Sequence, residues 1–133
     1  MSDETRVPIA GDGDIVIARQ KGRALGAEIG FSRIDLALIA TAISEVARNI
    51  IIYAEKGEIV VCPVDEGARR GIAIIARDEG PGIADVELAL RDGYSTTRGL
   101  GLGLPGARRL MDDFEIDSAV GRGTTVKMRK WVR

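Results

Sequence analysis

Residues 98–106 read RGLGLGLPG, and this glycine-rich stretch stands directly before a segment of helical character. Glycines let backbone N–H groups approach oxygen atoms closely, and a following helix offers its unsatisfied N-terminal donors to phosphate. Pro105 suits the first turn of such a helix, where its missing N–H costs nothing. The stretch therefore predicts a phosphate-binding loop at a helix N-terminus, although an ordinary flexible loop with a helix cap explains these residues equally well.

Residues 101–106, GLGLPG, also match the G-x-G-x-x-G fingerprint of dinucleotide-binding folds. That fingerprint requires a strand directly before the glycines and an acidic residue about 20 positions further on. Here the preceding segment is the polar YSTTR, and the region near residue 121 is a second glycine turn. The lysine and the Ser/Thr of a Walker A loop are also missing. Both of these nucleotide-binding classes are therefore disfavoured.

The composition is that of a globular protein. The chain has 133 residues, of which 45% are hydrophobic and 29% charged, and its formal net charge is −1. This length predicts a single domain over 1–133, and the balanced charge argues against a nucleic-acid partner. The N-terminal stretch lacks the apolar segment of a signal peptide, and no later run approaches the roughly 18 apolar residues of a membrane span. We therefore expect a cytoplasmic protein without a membrane partner.

The sequence contains one cysteine and no histidine, which limits the side chains available for catalysis. Cys62 is the only cysteine and histidine is absent, which excludes an internal disulfide and a CxxC metal site. Catalysis must therefore use carboxylates, hydroxyls, amides, lysine or arginine.

Apolar runs and turn signals predict the order of strands and helices. RVPIA at 6–10 suits an edge strand, because Pro8 lacks an N–H. The later predicted elements are a helix from Asp14 that Gly22 and Gly26 interrupt and Gly30 ends, a long helix over 33–54 with Ser32 as its N-cap, strands at 58–64 and 71–77 joined by the turn DEGARRG, a short helix near 85–93, a helix over 105–114, and strands at 115–120 and 124–132. This order predicts an α+β two-layer sandwich, with helices on one face of a mixed sheet.

The long helix carries two polar residues among apolar ones. Its apolar side chains are not confined to one stripe, so the helix should be largely buried. Glu45 and Asn49 are four residues apart and project from the same side. A buried carboxylate needs a partner. Either a salt bridge to Arg48 or another arginine, or a role beside a phosphate-bound Mg²⁺, would meet that need.

DEGPG at 78–82 follows an apolar strand and places Asp78 at the strand's end. An ionised carboxylate only accepts hydrogen bonds, so it can take the exocyclic amino hydrogens of adenine and reject the oxygen that guanine has there. The same residues also make a good strand-ending turn, and taken alone they favour that simpler interpretation.

Four motifs together resemble a known set: SEVARNI (44–50), DEGPGI (78–83), GLGLGLPG (99–106) and GRGTT (121–125). Their order and spacing are similar to those of the N box and the glycine-containing boxes of the GHKL superfamily, which holds gyrase-type ATPases, MutL and histidine-kinase catalytic domains. Within that superfamily the chain most resembles the small bacterial serine kinases that act as anti-sigma factors or stressosome switch kinases. The resemblance covers nearly the whole chain and implies the Bergerat fold.

The resemblance assigns roles by position. Glu45 is implied to be the general base toward the acceptor hydroxyl, Asn49 to hold Mg²⁺, and Asp78 to bind the adenine amino group. The implied ATP-binding positions are Asn49, Asp78, Gly80, Gly82, Arg98, Gly99, Gly101, Leu102, Gly103, Leu104 and Thr124. Gly80 and Gly82 would let adenine approach, and the glycines from 99 to 103 would shape the lid and the phosphate cradle. Arg98, Arg108 and Arg109 could contact phosphate or could equally be solvated.

The implied activity is that of an ATP-dependent protein serine/threonine kinase. It would transfer the γ-phosphate to STAS-domain proteins of the stressosome and then activate a PP2C-type phosphatase in a stress response. Two alternatives stay open: an ATP-dependent anti-sigma factor or other non-catalytic sequestering module, and a histidine-kinase fragment, which the missing histidines disfavour.

Overall fold

The structure is a computed structural model, and it describes residues 4–82 and 103–133. The elements in these residues are β1 (Thr5–Ile9), α1 (Asp12–Ile29), α2 (Arg33–Ala54), β2 (Gly57–Glu66), β3 (Arg69–Asp78), α3 (Gly103–Leu110), β4 (Asp113–Ala119) and β5 (Gly123–Trp131). The short helix predicted near 85–93 and the polar loop at 94–98 lie outside the described residues.

The strands form one sheet in the order β1-β2-β3-β5-β4. All four pairings in the described part of the chain are antiparallel, whereas a mixed sheet was predicted. Pro8 lies in β1 at the edge of this sheet, as its missing N–H predicts. Asp78 is paired with both Gly57 and Thr124, so the end of β3 is held from both sides.

A hydrophobic core lies between the helices and the sheet. Its largest fully buried side chains include Ile39, Ile43 and Ile50 from α2, Ile59 from β2 and Ile74 from β3. Burying such a side chain stabilises the fold by about 1.5–3 kcal/mol. The predicted α+β two-layer arrangement is confirmed.

Helix α1 runs without a break, so the predicted interruption at Gly22 and Gly26 is wrong. A Cβ at Gly22 would collide with the side chain of Ile43, and one at Gly26 would lie 2.7 Å from Leu36. These glycines therefore allow α1 to pack closely against α2. The helix ends at Gly30 as predicted, with a φ of 114° that favours glycine.

Helix α2 begins as predicted, because the hydroxyl of Ser32 accepts a hydrogen bond from the backbone N–H of Asp35. By length and composition alone this helix could cross a membrane, contrary to the expectation that no run comes near that limit. Half of its most apolar 18-residue window is buried inside the fold. The core helix of a globular domain has this property too.

Two boundaries differ from the prediction. The turn between β2 and β3 is shorter than DEGARRG, because Glu66 and Arg69 pair across the strand ends. Helix α3 ends at Leu110 rather than at residue 114, where β4 has already begun. The buried ammonium group of Lys130 donates to the carbonyl oxygen of Leu110 at 2.8 Å, which satisfies one of the carbonyls that a helix end leaves open.

Candidate functional site

The carboxylate of Glu45 joins α2 to the N-terminus of α3. The residue is 7% exposed. Its Oε1 accepts a hydrogen bond from the backbone N–H of Gly103 at 2.7 Å, and its Oε2 lies 3.1 Å from NH1 of Arg48. The salt bridge that the sequence offered as one solution is therefore present. The carboxylate also faces backbone donors of the kind that bind phosphate.

Asn49 lies one helical turn beyond Glu45 and is half-buried. Its amide group makes no hydrogen bond to another part of the described chain. A half-buried amide oxygen that no described residue occupies is suited to bind a hard cation such as Mg²⁺.

Asp78 uses one of its carboxylate oxygens to hold the local backbone. Oδ1 accepts hydrogen bonds from the N–H groups of Gly80, at 2.9 Å, and Thr124, at 3.2 Å. Oδ2 has no hydrogen-bond partner among residues 4–82 and 103–133. Asp78 thus keeps one acceptor oxygen that a ligand donor such as the adenine amino group can use.

The glycines after Asp78 make close contacts with the protein itself. A Cβ at Gly80 would lie 2.5 Å from Cβ of Ala54 at the end of α2. Gly82 has a φ of 81°, and a Cβ there would collide with the carbonyl oxygen of Ala119. Packing of this loop is therefore sufficient to require glycine at both positions, whether or not adenine also approaches them.

Thr124 is anchored to the same loop and is 6% exposed. Its backbone N–H donates to Asp78, and its hydroxyl lies 2.7 Å from the hydroxyl of Ser118. Ser118 in turn donates to the carbonyl oxygen of Gly123. The structure thus places Thr124 beside Asp78 and adds Ser118, which no motif in the sequence indicated.

Helix α2 connects the two ends of the candidate site. Glu45 contacts the start of α3, and Ala54, nine residues further on, contacts Gly80 in the loop after β3. Nine residues of α-helix span about 13 Å. The two contacts therefore lie well apart along α2.

The glycine-rich stretch is described only from residue 103. Arg98, Gly99, Gly101 and Leu102 lie outside the described residues. Gly103 begins α3 and the side chain of Leu104 is buried in the core, so Leu104 can contact a ligand only through its backbone. Arg108 and Arg109 are both exposed on α3.

Cys62 is not suited to nucleophilic chemistry. Burial raises the pKa of its thiol above the usual value, and the negative charge of Glu4 raises the pKa further. The thiol therefore stays protonated at neutral pH, whereas a nucleophilic cysteine needs the thiolate.

Comparison with known proteins agrees with this geometry. Residues 12–130 match the histidine kinase-like ATPase domain family. The chain is 50% identical to the serine/threonine-protein kinase RsbT of Bacillus subtilis over all 133 residues, which is 100% of both proteins. It is 33% identical to the anti-sigma F factor of Caldanaerobacter subterraneus, covering 86% of this chain and 83% of that one, and 31% identical to that of a Thermoanaerobacter species with the same coverage. The chain therefore belongs to the histidine kinase-like ATPase family, in which it is an RsbT-like protein over its whole length.

Proposed function

We propose that this protein is a cytoplasmic partner-switching serine/threonine kinase. It transfers the γ-phosphate of ATP to STAS-domain proteins similar to RsbS and RsbR of the stressosome. When released from them, it activates a PP2C-type phosphatase similar to RsbU in the response to stress. The single observation that carries the kinase proposal is the buried carboxylate of Glu45 at the N-terminus of α3, one turn from Asn49.

The described residues fit a nucleotide at both ends of the site. Oδ2 of Asp78 is open to the adenine amino group, and the N-terminus of α3 offers backbone donors suited to phosphate, among them the Gly103 N–H that now donates to Glu45. Asn49 would hold Mg²⁺, which usually takes most of its ligands from phosphate and water. Gly80, Gly82 and Thr124 would shape the adenine end. Arg98, Gly99, Gly101 and Leu102 remain proposed phosphate and lid residues, together with Gly103 and Leu104.

Bound ATP with Mg²⁺ supplies the transferable phosphoryl group and neutralises its charge. The protein's own contribution is to place a proton acceptor and to exclude water. Glu45 takes the proton of the acceptor hydroxyl, since each of its oxygens has one donor and keeps a further lone pair. Burial of this carboxylate keeps competing water away from the reacting oxygen.

Incubation with labelled ATP and purified STAS-domain proteins tests the proposal. We expect label on the partner that survives acid and is lost when the acceptor serine or threonine is replaced by alanine. Acid-labile label would instead indicate phosphohistidine, and the absence of any transfer would contradict kinase activity.

The relatives named anti-sigma F factor support a second candidate function. In that alternative the chain would use ATP to shape a surface that sequesters a sigma factor. Transfer and sequestration are separable, because only transfer requires the base at Glu45. Co-purification with sigma factors, compared between the ATP-bound and nucleotide-free proteins, would detect the alternative.

A further inference from the structure

Arg48 lies beside the proposed general base on the same helix. Its guanidinium NH1 is 3.1 Å from Oε2 of Glu45, while the N–H of Gly103 is bound to Oε1. Each carboxylate oxygen therefore has one donor within the described residues. Two donors on opposite oxygens fix the rotation of the carboxylate as well as its position.

The two partners of this ion pair differ strongly in exposure. The side chain of Glu45 is 8% exposed, whereas that of Arg48 is 33% exposed. The pair thus consists of a buried anion and a partly exposed cation that compensates its charge. A buried charge without compensation is costly, and Arg48 is the only cation within ion-pair distance of Glu45 in the described residues.

Glu45 and a bound triphosphate would both place negative charge at the N-terminus of α3. The backbone N–H of Gly103 now donates to Glu45, and the same N–H can donate to a phosphate oxygen. A triphosphate bound there would bring a second strong anion close to the carboxylate. A guanidinium on Oε2 reduces the repulsion between the two anions, since like charges at short range oppose each other strongly in a partly buried site.

We propose that Arg48 is a positioning residue of the phosphoryl-transfer reaction. It holds Oε2 of Glu45 and neutralises the carboxylate, so that base and terminal phosphate can occupy the same end of the site. This inference rests on the proposed kinase function. It assigns Arg48 a role that acts through Glu45 rather than through contact with the substrate.

A double-mutant cycle on nucleotide affinity tests the proposal without any acceptor protein. ATP and ADP affinities are measured by calorimetry for wild type, Arg48→Gln, Glu45→Gln and the double variant. We expect Arg48→Gln to lower the ratio of ATP to ADP affinity by about tenfold, because Glu45 then repels the terminal phosphate. The double variant should return to within about twofold of Glu45→Gln. The cycle isolates the pair from the other contacts of Arg48.

Transfer kinetics give the second readout. Arg48→Gln should lower kcat for transfer by a factor on the order of 10², the effect of a misplaced reacting group, with the acceptor KM unchanged. Arg48→Lys should keep the ATP to ADP ratio near that of wild type and recover part of kcat, since lysine retains the charge but not the planar fork. This variant also decides the matter if Arg48→Gln does not fold.

Arg6→Gln is the matched control, because Arg6 forms a 2.9 Å ion pair with Glu58 on the edge of the sheet, away from α2. An unchanged affinity ratio in Arg48→Gln, or the same change in Arg6→Gln, would overturn the role of Arg48. A wild-type protein that phosphorylates no STAS-domain partner would overturn the proposed function instead, and the affinity cycle would then report only whether Arg48 offsets the charge of Glu45 beside bound phosphate.

Discussion

Asp78 commits one of its two carboxylate oxygens to the fold and leaves the other open within the described residues. Oδ1 is committed to two backbone N–H groups, and Oδ2 is open within the described residues. An asparagine at this position can keep its oxygen on the backbone donors and place its NH₂ where Oδ2 was. The substitution should therefore alter recognition of the base while leaving the fold intact.

We expect Asp78→Asn to weaken ATP binding by about 1–3 kcal/mol, because two donors then face each other at the adenine amino group. The affinity of the variant for inosine triphosphate, which carries an oxygen in place of the adenine amino group, should fall less or should rise. Calorimetric titration with both nucleotides measures the change in preference. Asp117→Asn, on an exposed carboxylate of β4, is the control for loss of charge. Unchanged ATP affinity in Asp78→Asn would move adenine recognition to another residue.

Asn49 is the proposed Mg²⁺ ligand. Asn49→Ala removes its oxygen, and Asn49→Asp keeps an oxygen and adds charge. The alanine variant should lose about tenfold or more of the Mg²⁺-dependent part of ATP affinity, the scale of one charge-assisted contact. Titrations with Mg²⁺ and with a chelator separate this part from the rest. Equal Mg²⁺ dependence in wild type and Asn49→Ala would reject the assignment.

At the scale of elements, the prediction from sequence succeeded where periodicity was strong and failed where packing decided. Helix α2 and its Ser32 cap followed from local patterns. The glycines of α1 did not, because the close approach of Ile43 to Gly22 is a contact between helices. In the same way, the end of α3 at Leu110 is satisfied by Lys130, which is 20 residues away in the sequence.

The loop after β3 packs against the end of α2, and this contact predicts that a larger residue at Gly80 lowers the stability of the fold. We expect Gly80→Ala to destabilise the nucleotide-free protein by about 1–3 kcal/mol, the usual effect of overpacking, because the new methyl group would meet Ala54. Denaturant unfolding measures the change. Gly13→Ala is the control, since a Cβ there meets nothing within 4 Å and helix propensity favours alanine. If Gly80 served only adenine, stability would stay constant and ATP affinity alone would fall.

At the scale of the whole molecule, the motifs predicted the family, which the comparisons confirm, but they did not predict how the site is held together. Glu45, Asp78 and Thr124 were each found through motif positions. Their mutual contacts depend on pairings across the sheet and on the meeting of α2 with α3. Ser118 could not be found in advance, because only the register between β4 and β5 brings it to Thr124.

Glu45 serves the fold and the proposed chemistry at once, and Glu45→Ala separates the two roles. The variant loses the hydrogen bond from Gly103, yet its effect on stability should be small, because Arg48 is one-third exposed and water can solvate it. ATP affinity should be retained, since the proposed adenine contacts lie at the other end of α2. Transfer should fall by about 10²–10⁴, as for loss of a general base, or by less if the transition state is loose.

Thermal unfolding, ATP titration and single-turnover transfer on one Glu45→Ala preparation measure all three quantities together. A purely structural role for Glu45 predicts an unchanged transfer rate in the folded fraction, whatever the change in stability. Glu58→Ala is the matched control, because Glu58 also pairs with arginines but lies on β2 away from α3. A stable variant that binds ATP and phosphorylates its partner at the wild-type rate would rule out Glu45 as the base, because transfer would then proceed without any carboxylate at this position.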